Sequence, residues 1–250
     1  MVNLGDSNCT VYIGDTEVSA IYVGTTQIYP NSGPTPPEPS GQTDYSKEYL
    51  TFNISSAGQI KWFCNNSQST NLKTIQYSTD NGSTWTSITS SRNGATIGVS
   101  AGDKVLFKGD NTSYQGRQNT IYSCFSGSTA GFELEGNIMS LIDSTNFSGL
   151  TTLPANYTFQ YMFAGCTGLT SAQNLVLPAT TLVPFCYRYM FQYCRNLNYI
   201  KCLATNITAQ GALNNWVQGV AASGTFVKAS GVSWNTGVSG IPEGWTVIEE

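Results

Sequence analysis

Hydrophobic and polar residues alternate along most of this chain, but the period changes from one stretch to the next. Near the start it runs in tens: Val11-Tyr12-Ile13-Gly14-Asp15-Thr16-Glu17-Val18 returns as Ile21-Tyr22-Val23-Gly24-Thr25-Thr26-Gln27-Ile28, and Leu4-Gly5-Asp6-Ser7 is a looser copy. β-branched and aromatic residues set about a glycine turn predict a small β-meander over residues 1–30. So short a piece cannot enclose a core of its own. It is expected to associate with its own copies or with a larger partner.

From Pro30 to Thr43 the pattern lapses into a proline-rich stretch, with Pro at 30, 34, 36, 37 and 39, which predicts an extended linker over residues 31–44. Beyond it, period two returns. Residues 49–54, 59–64, 74–78, 84–88, 96–99, 104–108 and 131–136 are strand candidates, with turn signals such as Asp80-Asn81-Gly82 between them. Seven short strands punctuated in this way predict a β-sandwich over residues 45–141.

The last part repeats on a longer scale. Tyr161-Met162-Phe163 returns as Tyr189-Met190-Phe191, and Cys166/Cys194, Leu169/Leu197 and Leu175/Leu203 keep the same offset of 28 (190 − 162). Leu153-Pro154-Ala155 and Leu177-Pro178-Ala179 are only 24 apart (177 − 153), as if the second copy held four extra residues. Units of this length bury their apolar sides only by stacking. Residues 142–250 are therefore expected to form a short solenoid, closed by a cap with Trp216, Trp234 and Trp245 in its core. Helical spacing in each unit would turn Met162, Met190, Cys166 and Cys194 inward and some aromatic residues outward. The candidate surface-binding residues are Tyr157, Tyr161, Tyr187, Arg188, Tyr189 and Tyr193, since exposed Tyr and Arg suit sugar or protein surfaces. The fold class expected is mainly β with a small α/β part.

Composition narrows the chemistry. The chain has no histidine, which removes the usual general base and the usual metal ligand. Only 10% of residues are charged and the net charge is −4, so nothing draws a nucleic acid. The seven cysteines (Cys9, Cys64, Cys124, Cys166, Cys186, Cys194, Cys202) form no Cys-x-x-Cys, and Cys166 and Cys194 are expected as stacked buried thiols rather than a disulfide. No apolar run is long enough to span a bilayer, and Met1–Asp6 carries no basic or apolar leader pattern. Glu133 and Glu135 share a strand face and could in principle serve glycoside hydrolysis, but such pairs are common on solvated strands. Asp80-Asn81-Gly82 lacks the rest of a calcium loop. No catalytic, metal or cofactor-binding residue is assigned, and no cofactor is expected.

Leu177-Pro178-Ala179-Thr180-Thr181-Leu182 followed by Cys186-Tyr187-Arg188-Tyr189-Met190-Phe191-Gln192-Tyr193-Cys194-Arg195-Asn196-Leu197 resembles the BspA-like leucine-rich repeats of the Treponema type, found in surface proteins of gut Bacteroidales and their phages. A degenerate unit lies at Phe147-Ser148-Gly149-Leu150. The resemblance implies a short strand and a helix in each unit, and adhesion rather than catalysis. The decapeptide module looks like segments at the front of Bacteroidales phage structural proteins. Together these imply a non-enzymatic virion appendage, a head or tail fibre or decoration protein. Residues 1–30 would meet capsid or tail proteins, and the rest would meet a host-surface glycan or protein. The chain would be a homo-oligomer, by analogy a trimer, at the virion surface, with no nucleic-acid partner and no membrane insertion. The rivals are a bacterial surface adhesin and a carboxylate-dependent glycan hydrolase.

Overall fold

In a computed structural model of the chain, residues 43–250 are described throughout, and before them only four short strands. These are β1 (Tyr12–Ile13), β2 (Thr16–Glu17), β3 (Ile21–Val23) and β4 (Thr26–Tyr29). β1 pairs with β2 and β3 with β4, both antiparallel, and the registers match: Tyr12 faces Glu17 as Tyr22 faces Gln27, and Ile13 faces Thr16 as Val23 faces Thr26. The ten-residue sequence period is thus a repeated hairpin. The copy at Leu4–Ser7, Cys9, and the proline-rich stretch up to Gln42 lie outside the described residues. Met1–Thr43 and Asp44–Glu250 are separate compact units.

The second unit is built of β5 (Leu50–Ser56), β6 (Gly58–Cys64), β7 (Thr74–Ser78), β8 (Thr86–Thr89), β9 (Ala95–Val99), β10 (Lys104–Lys108), β11 (Ser123–Cys124), β12 (Gly131–Asn137), β13 (Leu169–Val176), β14 (Tyr199–Cys202), β15 (Thr225–Lys228) and β16 (Thr246–Glu249). All seven strands expected from period-two alternation are present. In β10 Val105 and Phe107 are buried while Lys104 is exposed, and in β5 Leu50, Phe52 and Ile54 are buried while Ser55 is exposed. Burying each such side chain stabilises the fold by roughly 1.5–3 kcal/mol.

The strands form a nine-stranded sheet, ordered β16-β15-β14-β13-β12-β5-β10-β7-β8, and a three-stranded sheet, β11-β6-β9. The sheets face one another across aromatic rings. Phe52 stacks on Phe132 at 4.4 Å and lies 4.8 Å from Phe125, which lies 4.8 Å from Trp62 of the smaller sheet. The expected boundary between residues 141 and 142 falls inside this unit, and β12 is the reason. It pairs antiparallel with β5 and parallel with β13, so β12 to β16 continue the same sheet as a parallel series. One core cluster runs from Leu50 to Trp245.

No α-helix occurs among the described residues, which hold only short 3-10 turns, so the small α/β part expected of the repeats is absent there. Where helices were expected, the chain makes overlapping β-turns. Within a coil, Gln160, Met162, Ala164 and Cys166 each donate to the carbonyl three residues back. The intervening residues Tyr157, Phe159, Tyr161, Phe163 and Gly165 donate instead to Pro184, Cys186, Arg188, Met190 and Gln192 of the next coil. Phe185, Tyr187, Tyr189, Phe191 and Tyr193 in turn donate to Gln210, Ala212, Asn214, Trp216 and Gln218, at 2.7–3.1 Å. An α-helix spends its N–H groups on its own carbonyls; here half of them bind coil to coil.

Every fourth residue of these runs has positive φ: Tyr157, Tyr161 and Gly165, then Phe185, Tyr189 and Tyr193, then Gly211, Asn215 and Gly219. They take the third place of alternate turns, as in type II turns. A recurrence of four mimics helical spacing in the sequence, which is why the runs read as helices. The structural alignment also corrects the Leu-Pro-Ala match. Thr152 bridges Thr181, which bridges Asn206, so Leu153 corresponds to Leu182 rather than Leu177. Between the first two coils the offset is thus 28–29 throughout and the four extra residues disappear, while the third coil follows at 25–26 (206 − 181, 211 − 185).

Candidate functional site

The left-handed positions carry four of the six candidate residues, Tyr157, Tyr161, Tyr189 and Tyr193. A left-handed backbone costs an ordinary L-residue roughly 1–2 kcal/mol, yet five of these sites hold Tyr or Phe. Their rings stack from coil to coil. Tyr161 sits between Tyr122 at 4.0 Å and Tyr189 at 4.5 Å, and Tyr157 stacks on Phe185 at 4.7 Å. Each aromatic contact of this kind contributes roughly 0.5–1.5 kcal/mol beyond the area it buries. Two contacts at Tyr161 therefore offset its strain.

Arg188 lies between the columns, its guanidinium 4.7 Å from the centre of the Tyr189 ring and 5.7 Å from that of Phe185. Its Nη2 donates to the Tyr189 hydroxyl at 3.2 Å, and that bond holds the Tyr189 hydroxyl below its usual pKa. Arg188 Nε is buried with no hydrogen-bond partner. The Tyr157 hydroxyl accepts from Asn119 Nδ2 at 2.9 Å. Burial pushes the Tyr161 hydroxyl up. The result is a rigid strip of half-buried rings with one cation and several amides, lacking any carboxylate of its own. It can stack and hydrogen-bond.

Five of the six candidate residues meet on this strip. Tyr187 does not: its ring is fully buried against Phe159, with centroids 6.4 Å apart. Tyr187 lies between the left-handed positions Phe185 and Tyr189, on the inward side of the turn, so it is withdrawn from the surface set. Tyr193 is the most open, 47% exposed, with no ring beneath it because the next coil has Gly219 there. Phe185 and Tyr122 join the strip unforeseen. Phe185 was legible as the 28-residue counterpart of Tyr157 (185 − 157), whereas Tyr122 lies outside the repeat and carried no signal.

The other candidates are scattered. Glu133 is exposed, and the Glu135 carboxylate is bound by Lys104 Nζ at 3.0 Å. Both oxygens of Asp80 are taken up in its own turn, by Ser78 Oγ at 2.7 Å, Thr84 N at 2.9 Å and Thr84 Oγ1 at 2.6 Å. That turn does join β7 to β8, through a loop over residues 79–85. The six described cysteines are free and buried. Cys166 and Cys194 occupy equivalent places, each thiol donating to a carbonyl of the preceding layer, Phe125 O at 3.2 Å and Phe163 O at 3.0 Å.

Comparison with protein-family models, with curated proteins and with solved structures finds no match to this chain.

Proposed function

We propose that this chain is a non-enzymatic appendage of a phage particle, a head or tail fibre or decoration protein, that binds a host-surface glycan or protein through the tyrosine strip. In this reading the repeated hairpins of residues 1–30 attach to capsid or tail proteins and associate with their own copies, by analogy as a trimer, and the proline-rich linker spaces the second unit from the particle. The BspA-like resemblance supports an adhesive role for the stacked coils. The observation that carries the reading is Tyr193: it holds a left-handed backbone, stays 47% exposed, and has no aromatic neighbour to offset the strain. Strain kept under a ring that is left half in solvent supports a use outside the fold.

Labelled full-length protein should bind host cells, and Tyr193→Ala and Arg188→Ala should each lose that binding while melting normally. Unchanged binding by both variants would reject the strip as the contact. Deleting residues 1–30 should abolish incorporation into particles, and recovery at normal copy number would reject the attachment. Release of shortened glycan products that Glu133→Gln abolishes would turn the reading toward a hydrolase.

A further inference from the structure

The last coil carries a feature that the tyrosine strip does not use. A cleft of about 300 Å³ opens between the third turn run and the loop over residues 233–240. Its apolar walls include Trp234, Ile207 and Leu213, and its polar ones Asn214, Ser233 and Asn235; none of its lining residues is charged. The wall is preformed, since Ile241 N donates to Asn235 O at 2.9 Å and Gly237 N to Ile241 O at 2.7 Å, closing the loop on itself.

Trp234, which is only partly buried, stands apart from the three buried tryptophans. The indole N–H groups of Trp62, Trp216 and Trp245 each donate to a backbone carbonyl at 2.8 Å. That of Trp234 is shielded from solvent and has no acceptor. An unpaired buried donor costs about 1–3 kcal/mol, so the ring is seated in the wall at the expense of that bond. The ring is held in place by Phe226 at 5.1 Å and Trp216 at 5.9 Å.

We propose that this cleft binds a neutral sugar residue. Its volume falls at the lower end of the range for ligand sites, which suits one small molecule. The indole offers apolar surface to the C–H side of a pyranose, while Asn214, Ser233 and Asn235 supply both donors and acceptors for its hydroxyls. The absence of charge in the lining argues against an anionic sugar, whose carboxylate would go unpaired. The site is separate from the tyrosine strip, and the two stand or fall independently.

The test is saturation-transfer NMR on the full-length protein with the methyl glycosides of glucose, galactose, mannose and N-acetylglucosamine, and with N-acetylneuraminic acid as the charged control. At least one neutral glycoside should show transfer and perturb tryptophan fluorescence. Ser233→Tyr, which places a ring at the exposed mouth, should weaken that binding about tenfold or more with an unchanged melt. Trp234→Phe, which shrinks the ring that walls the cleft, should weaken it several-fold, and Arg188→Ala should leave it intact. Silence from every neutral glycoside, a preference for the anionic control, or signals unmoved by both cleft variants would overturn the proposal. Loss in Arg188→Ala alone would also overturn it, by placing the sugar on the tyrosine strip.

Discussion

Tyr161 and Tyr189 lie in adjacent coils with their rings 4.5 Å apart, and both hold a left-handed backbone, at φ of 60° and 58°. Stacking and strain oppose each other at these positions, which makes glycine an informative probe. Tyr161→Gly removes the strain and two ring contacts, so it should destabilise the unit by about 1 kcal/mol or more, and Tyr161→Ala by about a further 1 kcal/mol because alanine keeps the strain. Tyr193→Gly removes strain and no ring stack, so it should be neutral or stabilising by up to about 1 kcal/mol. Denaturant melts of the three variants measure this. A Tyr193→Gly protein as damaged as Tyr161→Gly would mean that stacking is not what holds the strip.

Tyr187 and Tyr114 are both fully buried, but only one of their hydroxyls is paired: Tyr114 donates to Leu141 O at 2.6 Å, and the Tyr187 hydroxyl has no partner. Tyr114→Phe should cost about 1 kcal/mol, while Tyr187→Phe should be neutral or stabilising. Tyr187→Ala should cost about 3–5 kcal/mol by leaving a cavity. Thermal melts ordered otherwise would contradict the burial of that ring.

Burial pushes the thiols of Cys124, Cys186 and Cys194 up to about 12 and that of Cys202 up to about 11. The thiolate is the reactive form, so at neutral pH these cysteines should resist iodoacetamide in the folded protein and react once it is denatured. Mass spectrometry of peptides labelled before and after denaturation gives the answer, and rapid labelling of Cys194 in the native state would show that the stack opens.

The bonds from Thr84 and Ser78 pull the Asp80 carboxyl down from 3.8 to about 2. A folded value below the unfolded one means that the carboxylate supports the β7–β8 turn fully above about pH 4, and that this support is lost as pH falls through about 2. The Gly82 and Thr84 amide resonances should therefore titrate with a midpoint near pH 2. A midpoint near 4 would mean that the carboxylate does not hold the turn.

The β part of the fold was legible because its signal is local. Leu50, Phe52 and Ile54 alternate with polar neighbours whatever lies around them, and each strand of this kind appeared where alternation placed it. The repeat was legible too, since Met162/Met190 and Cys166/Cys194 sit in equivalent buried places. What misled was the meaning of a period near four. Tyr157, Tyr161 and Gly165 recur like one face of a helix, but their own N–H groups, with those of Phe159 and Phe163, bind the next coil, a contact that no local window contains. The same limit hid the site. Tyr187 looks no different from Tyr189 in the sequence, yet its place in the turn sends it inward, and Tyr122 reaches the strip only through tertiary pairing.

The alternation of hydrogen-bond donors along each coil has an evolutionary corollary. Each coil offers the next the same row of N–H groups and carbonyls, so copying one 28-residue block in frame would insert a layer without remaking either end. Such a duplication would lengthen the strip by one inter-strand spacing, about 4.8 Å, and add one more rank of rings. The molecule thus contains a ruler graduated in coils, and a lineage carrying it can change how much surface it presents by gene duplication rather than by redesign.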